Sequence, residues 1–218
     1  ELFLFSRHTT PRTPPIQALG HLKDNIVDPQ LIISKGREKS LRRRHPWIFS
    51  GAVARVIGNP KPGQTVDVRA ENGDWLGRAA FSPASQIQAR IWTFDTDERI
   101  DEQFFLRSIR NAARQRHGLE GSGTALRLVH SESDGLPGLI LDRYNGVLVF
   151  QLLTAGAEFC RKAVVDALRQ LYPDDAILER SDVEVRAKEG LQERIGVVHG
   201  RIPELVPILE NGLEYLVD

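Results

Sequence analysis

Residues 65–81 read Thr-Val-Asp-Val-Arg-Ala-Glu-Asn-Gly-Asp-Trp-Leu-Gly-Arg-Ala-Ala-Phe. Apolar and polar side chains alternate from Thr65 to Ala70, which is the pattern of a β-strand with one buried face. The dipeptide Asn72-Gly73 strongly favours a hairpin turn, and residues 75–81 can supply the returning strand. This stretch therefore predicts an antiparallel sheet in the first half of the chain.

Three further strands are predicted around this hairpin. Residues 31–33 and 52–57 are short apolar stretches, Pro60–Gly63 is a turn, and residues 86–94 alternate again between apolar and polar side chains. Five short strands and one helix within about 65 residues predict a compact, partly open β-barrel.

The segment after the first predicted strand concentrates positive charge. Residues 35–47 read Lys-Gly-Arg-Glu-Lys-Ser-Leu-Arg-Arg-Arg-His-Pro-Trp, with six Lys or Arg and one acid. Leu41 is the one apolar side chain between Lys35 and His45, so the segment lacks the stripe of a core helix and is predicted as a short surface helix. Such a cationic element favours contact with nucleic-acid phosphates. A solvated charged face remains the alternative.

These features give a set of candidate RNA contacts. Phosphate contacts from Arg and Lys supply affinity and register with little sequence readout. The candidates are Lys35, Gly36, Arg37, Lys39, Arg42, Arg43, Arg44 and His45, with Arg78 and Arg90 on the barrel strands. Trp47, Trp75 and Trp92 are candidates for base stacking, with a core or rim role left open for each.

A net charge of zero hides a division between the two halves of the chain. Residues 31–95 carry 11 Lys and Arg against 5 Asp and Glu, a net charge of +6, and residues 96–218 carry 15 against 21, a net charge of −6. A basic half beside an acidic half predicts one domain that faces nucleic acid and one with a different role.

The second half predicts a smaller unit of mixed structure. Asp101 can cap a helix that runs to about His117. Strands are expected at 126–129, 139–144, 147–153 and 176–179, with the apolar strand 147–153 in a central position. An amphipathic helix is expected over residues 156–171, and a last Asn-Gly hairpin over residues 206–217.

We therefore expect a mixed α+β protein, with a β-barrel followed by a small α+β domain in which strands flank a helix. The expected divisions are a mostly disordered leader at 1–30, the barrel domain at 31–97, a connecting helix and linker at 98–123, the central α+β domain at 124–205 and a terminal hairpin at 206–218. Since the sequence begins with Glu1 and contains no methionine, we expect it to be a piece of a longer protein.

Other chemical signals in the sequence are weak. The single cysteine, Cys160, lies on the apolar face of a predicted helix, so it is interpreted as structural, and a chain without disulfides fits the cytoplasm. The six histidines show no ligand spacing, and we predict no metal site. Gly121-Ser122-Gly123 lacks the context of a nucleotide loop. Glu132 and Asp134 form a conceivable acid/base pair, which turn chemistry explains more simply.

Two further features complete the interpretation of the residues. The dense polar stretch Arg180–Glu189 fits either surface ion pairs or a contact to a ligand or neighbouring domain. The longest fully apolar runs cover about four residues, far short of a membrane span.

Several long motifs together resemble one protein family. The chain is similar to the ribosomal RNA large-subunit methyltransferase I family, which makes 5-methylcytosine in large-subunit rRNA, over roughly residues 31–218. The motifs are KGRE (35–38), HPWIFSGAV (45–53), PGQTVDV (62–68), WLGRAAFSPASQI (75–87), ESDGLPGL (132–139), QLLTAGAE (151–158) and ERSDVEVRAKEG (179–190). Within that family the first of these motifs belong to an RNA-binding PUA domain.

The resemblance implies a PUA domain and a small α+β domain here, and it implies rRNA as the partner. It also implies that the Rossmann-like domain, which binds S-adenosylmethionine (SAM) and carries the catalytic cysteine, is missing beyond Asp218. No residue of this chain matches those motifs, so we expect no cofactor and no catalytic residue in it. The expected role is to position rRNA for methylation by that missing domain.

Two alternatives to this role remain, namely a free-standing PUA-type RNA-binding adaptor and a protein-interaction module. The oligomeric state and the target nucleotide are left open.

Overall fold

The computed structural model describes residues 28–116, 118 and 123–218. Most of the expected leader, and all but Gly123 of the Gly121–Gly123 joint, lie outside the described residues. The described chain forms a six-stranded sheet, a five-stranded sheet and a two-stranded hairpin.

The first sheet is a curled half-barrel, as the alternation of residues 65–94 predicts. Its elements are β1 (Gln30–Ile33), α1 (Lys39–Arg42), β2 (Trp47–Phe49), β3 (Val53–Ile57), β4 (Thr65–Ala70), β5 (Trp75–Phe81) and β6 (Ile87–Thr93). The strand order is β2-β6-β5-β4-β1-β3, with β1 parallel to β4 and the other neighbours antiparallel. Alternate residues such as Val66 and Val68 point into a core that also holds Leu41 of α1.

The Asn72-Gly73 prediction is confirmed, since this pair lies in the loop that joins β4 to β5. Gly73 has a φ of 91°, a value that glycine adopts without steric cost. Its amide donates to the carbonyl of Ala70 at 2.9 Å, and Asp74 N donates to Asn72 Oδ1 at 3.2 Å.

The second unit is an α+β domain. Its elements are α2 (Glu102–Gln115), β7 (Ala125–His130), β8 (Leu139–Tyr144), β9 (Val147–Leu152), α3 (Ala155–Phe159), α4 (Arg161–Leu171), β10 (Ala176–Ser181), α5 (Val185–Lys188) and β11 (Arg194–His199). The strand order β11-β10-β9-β8-β7 confirms that β9 is central. Helices α2 and α4 bury Phe105, Ile109 and Leu168 against Phe150 of β9.

The predicted boundaries hold for most elements of the second unit. Asp101 caps α2 by accepting a 3.0 Å hydrogen bond from Phe104 N. The turn at Asn145-Gly146 joins β8 to β9, and Asn211-Gly212 joins β12 (Val206–Glu210) to β13 (Leu213–Val217). All four turn residues have positive φ, which matches the twist of a type I′ hairpin.

Four elements differ from the expectation, one of which is the short helix α5, for which no helix was predicted. The single helix over 156–171 is divided into α3 and α4 at Cys160, whose φ and ψ of −91° and 10° depart from the helix. Strands β2 and β11 were not predicted. β2 buries one residue, Ile48, and β11 leaves Ile195 and Val197 exposed, so neither strand presents a full buried face.

Candidate nucleic-acid interface

The basic segment lies on the surface of the first sheet. Its regular helix covers Lys39–Arg42, which is shorter than the basic run. Leu41 is buried and holds it to the sheet. All eight candidate RNA contacts within the basic segment are exposed, namely Lys35, Gly36, Arg37, Lys39, Arg42, Arg43, Arg44 and His45. Within the described chain, Lys35, Arg37, Lys39 and Arg43 make no ion pair.

Helix α1 ends in a motif that usually contains glycine. Arg44 N donates to Leu41 O at 2.8 Å, and His45 N donates to Ser40 O at 3.0 Å, which are the two hydrogen bonds of a Schellman motif. Arg44 occupies the left-handed position with a φ of 62°, where a side chain costs about 1 kcal/mol. Its guanidinium lies over the Phe94 ring, 5.7 Å from the centroid.

Arg42 differs from its neighbours because it has an ion-pair partner. Its Nη2 lies 2.6 Å from Asp74 Oδ2. The hydrogen bond from Arg42, followed by one from Asn72, lowers the pKa of Asp74. Both side chains are about half exposed, so the pair is screened by water and leaves Arg42 accessible to an anion.

The two barrel-strand arginines occupy different surroundings from the basic segment. Arg78 Nε donates to Asp67 Oδ1 at 3.0 Å, and its Nη1 donates to the carbonyl of Glu98. Arg90 is 8% exposed and lies within ion-pair distance of Glu132 (3.5 Å) and Glu189 (2.9 Å). Both guanidiniums are paired within the protein and are less exposed than that of Arg42, and their contact with RNA stays a prediction.

Of the three tryptophans, Trp47 is the one placed on an open surface. It is 37% exposed, whereas Trp92 is 5% exposed and packs edge-on against Phe104 and Phe105; Trp75 is half-buried. The Trp47 indole contacts His45 and Phe49 with centroid distances of 5.8 and 6.2 Å. His45, Trp47 and Phe49 are called the aromatic row below.

Glu132, which the sequence left as a turn acid, holds the Trp47 indole. Trp47 Nε1 donates to Glu132 Oε1 at 2.8 Å. Burial raises the pKa of Glu132, but hydrogen bonds from Ser131 and Trp47 and the charge of Arg90 outweigh burial, so the pKa is lowered. The neighbouring Asp134 instead pairs with Arg116 at 2.8 Å. Each acid therefore has a structural partner, which agrees with the simpler interpretation.

The polar stretch 180–189 joins the two units. Glu189 is buried; one oxygen accepts from Arg90 of β6 at 2.9 Å and the other from Ala155 N, at the start of α3, at 3.2 Å. Arg186 is also buried and donates to the carbonyls of Leu152 and Gln192. The contacts of Glu189, and that of Arg186 with Leu152, join residues far apart in the chain, so no local pattern predicts them; the buried strand before the stretch is the one signal that the sequence offers.

The units also approach closely at Gly156. A Cβ at this position would overlap the Cβ of Ala80 and lie 3.1 Å from the Trp92 ring. Ala80 and Trp92 belong to the core cluster of the second unit, although they come from β5 and β6. The junction is therefore a packed core that fixes the basic segment relative to the second unit.

A SAM molecule does not fit the parallel strand–helix–strand crossover of the second unit, which runs from β9 through α3 and α4 to β10. Ligands in such folds lie at the helix N-terminus after the first strand. Here Ala80 and Trp92 cover that end, and the Ala155 amide donates to Glu189.

Other catalytic or metal chemistry has little support in the described chain. Burial raises the pKa of Cys160 to about 11, so its thiol is not an activated nucleophile. Residues 28–116, 118 and 123–218 contain no group of three or more His, Cys, Asp or Glu side chains that could hold a metal ion. Nor does any helix within them combine the length and apolar character needed to cross a bilayer.

Comparison with known proteins finds one match to a family model within the first sheet. Residues 31–94 match the PUA-like domain. The basic segment and the aromatic row both lie within this match.

Relatives extend the similarity to most of the chain. A protein of Erwinia tasmaniensis called ribosomal RNA large subunit methyltransferase I is 54% identical over 193 residues, which cover 87% of this chain and 48% of the relative. A protein of Aeromonas salmonicida with the same name is 56% identical over 191 residues, covering 86% and 48%. The chain thus spans about half the length of the curated relatives it matches, and they bear the family name that the motifs predicted.

Solved structures share the fold at lower identity. SMU.776, described as a methyltransferase and crystallised with SAH, superposes with a TM-score of 0.72 at 22% identity, over 86% of this chain and 47% of that chain. A Streptococcus mutans protein described as a SAM-dependent methyltransferase gives a TM-score of 0.71 at 22% identity, over the same shares. The fold of the PUA-like domain and of the unit after it thus occurs in known proteins.

Proposed function

We propose that this chain binds large-subunit rRNA in the cytoplasm and positions it for a SAM-dependent cytosine-C5 methylation catalysed by residues outside the chain. The observation that carries the proposal is the exposed basic segment on a PUA-like domain, where four of six cationic side chains have no ion pair or cation–π partner among the described residues. The names of the relatives support a ribosomal RNA as the ligand.

In this proposal the second unit has a structural and connecting role. Residues 96–218 carry the acidic excess, which disfavours phosphate contact across most of their surface. The unit fixes the PUA-like domain through Glu189 and Gly156 and contacts the catalytic part of the complete protein. A free-standing RNA-binding adaptor is the alternative. The relatives are about twice as long as the matched region, which favours a role as part of a methyltransferase.

The proposal is tested by measuring RNA affinity against salt. If the segment neutralises about three or four phosphates, the log–log slope of affinity against salt is about −2 to −4. The variant R42A/R43A/R44A weakens binding to many RNA sequences alike and flattens the slope. The matched control R99A/R114A/R201A also removes three exposed charges, and it retains the affinity and the slope. Equal effects of the two triple variants would remove the basic segment from the proposal.

The location of the methyl-donor site is tested separately. Calorimetric titration of this chain with SAM gives no binding heat in the proposal. Clear binding would mean that the chain holds a donor site, and it would contradict a catalytic centre outside it.

A further inference from the structure

The aromatic row follows the edge of the PUA-like sheet. β2 stands at the end of the strand order and pairs with β6 alone among the described strands. Alternate residues of a strand point to the same side, so Trp47 and Phe49 share one side of β2 while Ile48 is buried on the other. His45 precedes the strand, and its ring contacts that of Trp47. Phe49 is 49% exposed. A line of three exposed rings beside a cationic helix indicates a binding surface rather than a solvated rim.

The central ring of the row is held in place before any ligand arrives. Trp47 donates its indole hydrogen to Glu132 of the second unit at 2.8 Å, and Glu132 is itself fixed by Arg90 and Ser131. A side chain that is already immobile loses little entropy when a ligand stacks on it.

The row leads into a groove between the two units. This groove has a volume of about 550 Å³, within the range of small-ligand sites. Phe49 and Ile87 line it from the PUA-like sheet, and Val185 and Lys188 line it from α5. Lys188 is exposed and makes no ion pair within the described residues. A ligand in the groove would therefore meet an aromatic ring on one side and a free cation on the other.

We infer that the aromatic row and this groove bind unpaired nucleotides of the RNA, with bases stacked on the rings and a phosphate at Lys188. The inference rests on the proposed function and adds that the bound RNA is single-stranded at this point. Base faces are hidden within a duplex, whereas unpaired bases stack readily on aromatic side chains. The basic segment, which joins the row at His45, favours a polyanion over a neutral or acidic protein surface.

The test compares a short single-stranded RNA with a duplex of the same length in fluorescence anisotropy. Loss of one stacking ring in Phe49→Ala weakens single-strand binding about 5- to 100-fold and leaves duplex affinity within about twofold. The control Tyr215→Ala removes a ring of similar exposure, 47%, from β13 and changes neither the single-strand nor the duplex affinity.

The contribution of Lys188 is tested separately. Lys188→Ala lowers single-strand affinity and reduces the salt slope by about 0.7, whereas the control Lys61→Ala, which also replaces an exposed lysine, leaves the slope unchanged.

The outcomes separate this inference from the proposed function. If R42A/R43A/R44A weakens both RNA forms but Phe49→Ala weakens neither, the inference fails and the proposed function stands. If the triple variant has no effect while Phe49→Ala weakens single-strand binding, RNA contact by the basic segment is rejected and the stacking surface is retained. A concentration-dependent dimer that Phe49→Ala abolishes in sedimentation would assign the surface to a second copy and overturn the inference.

Discussion

The guanidinium of Arg90 lies 2.9 Å from the carboxylate of Glu189, and this buried pair joins the PUA-like sheet to the second unit. The same carboxylate accepts from the amide of Ala155. Both charges are removed from water, so Glu189 depends on Arg90 for compensation, while Arg90 also lies 3.5 Å from Glu132. The pair thus gives a structural role to an arginine that the sequence suggests as an RNA contact.

Breaking this pair from one side is expected to be costly. Arg90→Met leaves Glu189 buried without its cation and lowers the free energy of unfolding by about 3–5 kcal/mol. The double variant R90M/E189Q removes both charges, while the side-chain carbonyl of the new amide can still accept from Ala155 N, so it is more stable than R90M. Urea unfolding of the parent, R90M, E189Q and R90M/E189Q in a double-mutant cycle checks this. Additive losses would show that the two charges do not interact.

The close approach at Gly156 gives a second prediction, of steric origin. Alanine has a better helix propensity than glycine by about 1 kcal/mol, but its Cβ would overlap that of Ala80. We expect Gly156→Ala to lower the melting temperature, because overpacking costs about 1–3 kcal/mol. Ala80→Gly in the same chain restores part of the loss by removing the overlapping atom. A Gly156→Ala variant more stable than the parent would contradict this packing of the two units.

Arg44 allows backbone strain to be separated from RNA contact. Arg44→Gly and Arg44→Ala both remove the guanidinium, so both weaken RNA binding to the same extent. Because residue 44 has a φ of 62°, the glycine variant is more stable than the alanine variant by about 1 kcal/mol. Thermal unfolding and RNA titration of the two variants give both quantities. Equal stabilities would contradict the left-handed conformation at this position.

Glu132 predicts a pH-dependent contribution to stability. Its pKa is lower in the folded state than its ordinary value, so folding favours the ionised form. This contribution is fully present above about pH 4.3, the ordinary value for glutamate, and is lost as the pH falls through the folded-state pKa. Parent and Glu132→Gln therefore differ by about 1–2 kcal/mol at pH 7, and the difference shrinks in acid. Urea unfolding of both proteins from pH 7 to pH 3 checks the trend; a constant difference would contradict it.

Features that depend on neighbouring residues follow from the local sequence. Alternation over Thr65–Ala70 and the Asn145-Gly146 turn define strands and hairpins because side-chain direction and turn dihedrals are local properties of the backbone. The basic segment is likewise exposed, as its lack of an apolar stripe predicts. Strands β2 and β11 were not predicted from the sequence. Their pairing with β6 and β10 stabilises the extended backbone.

The packing of distant segments sets which charged and aromatic side chains remain available to a ligand. Arg90 and Glu189 are 99 residues apart in sequence, and Trp47 and Glu132 are 85 apart, so no local pattern indicates either contact. In the first pair the opposite charges compensate each other and burial removes them from the surface, whereas the second pair leaves the Trp47 ring exposed in a fixed position. The local sequence around a charged or aromatic residue does not reveal whether its side chain is buried or exposed. Its partner and its exposure are set by the packing of one unit on the other.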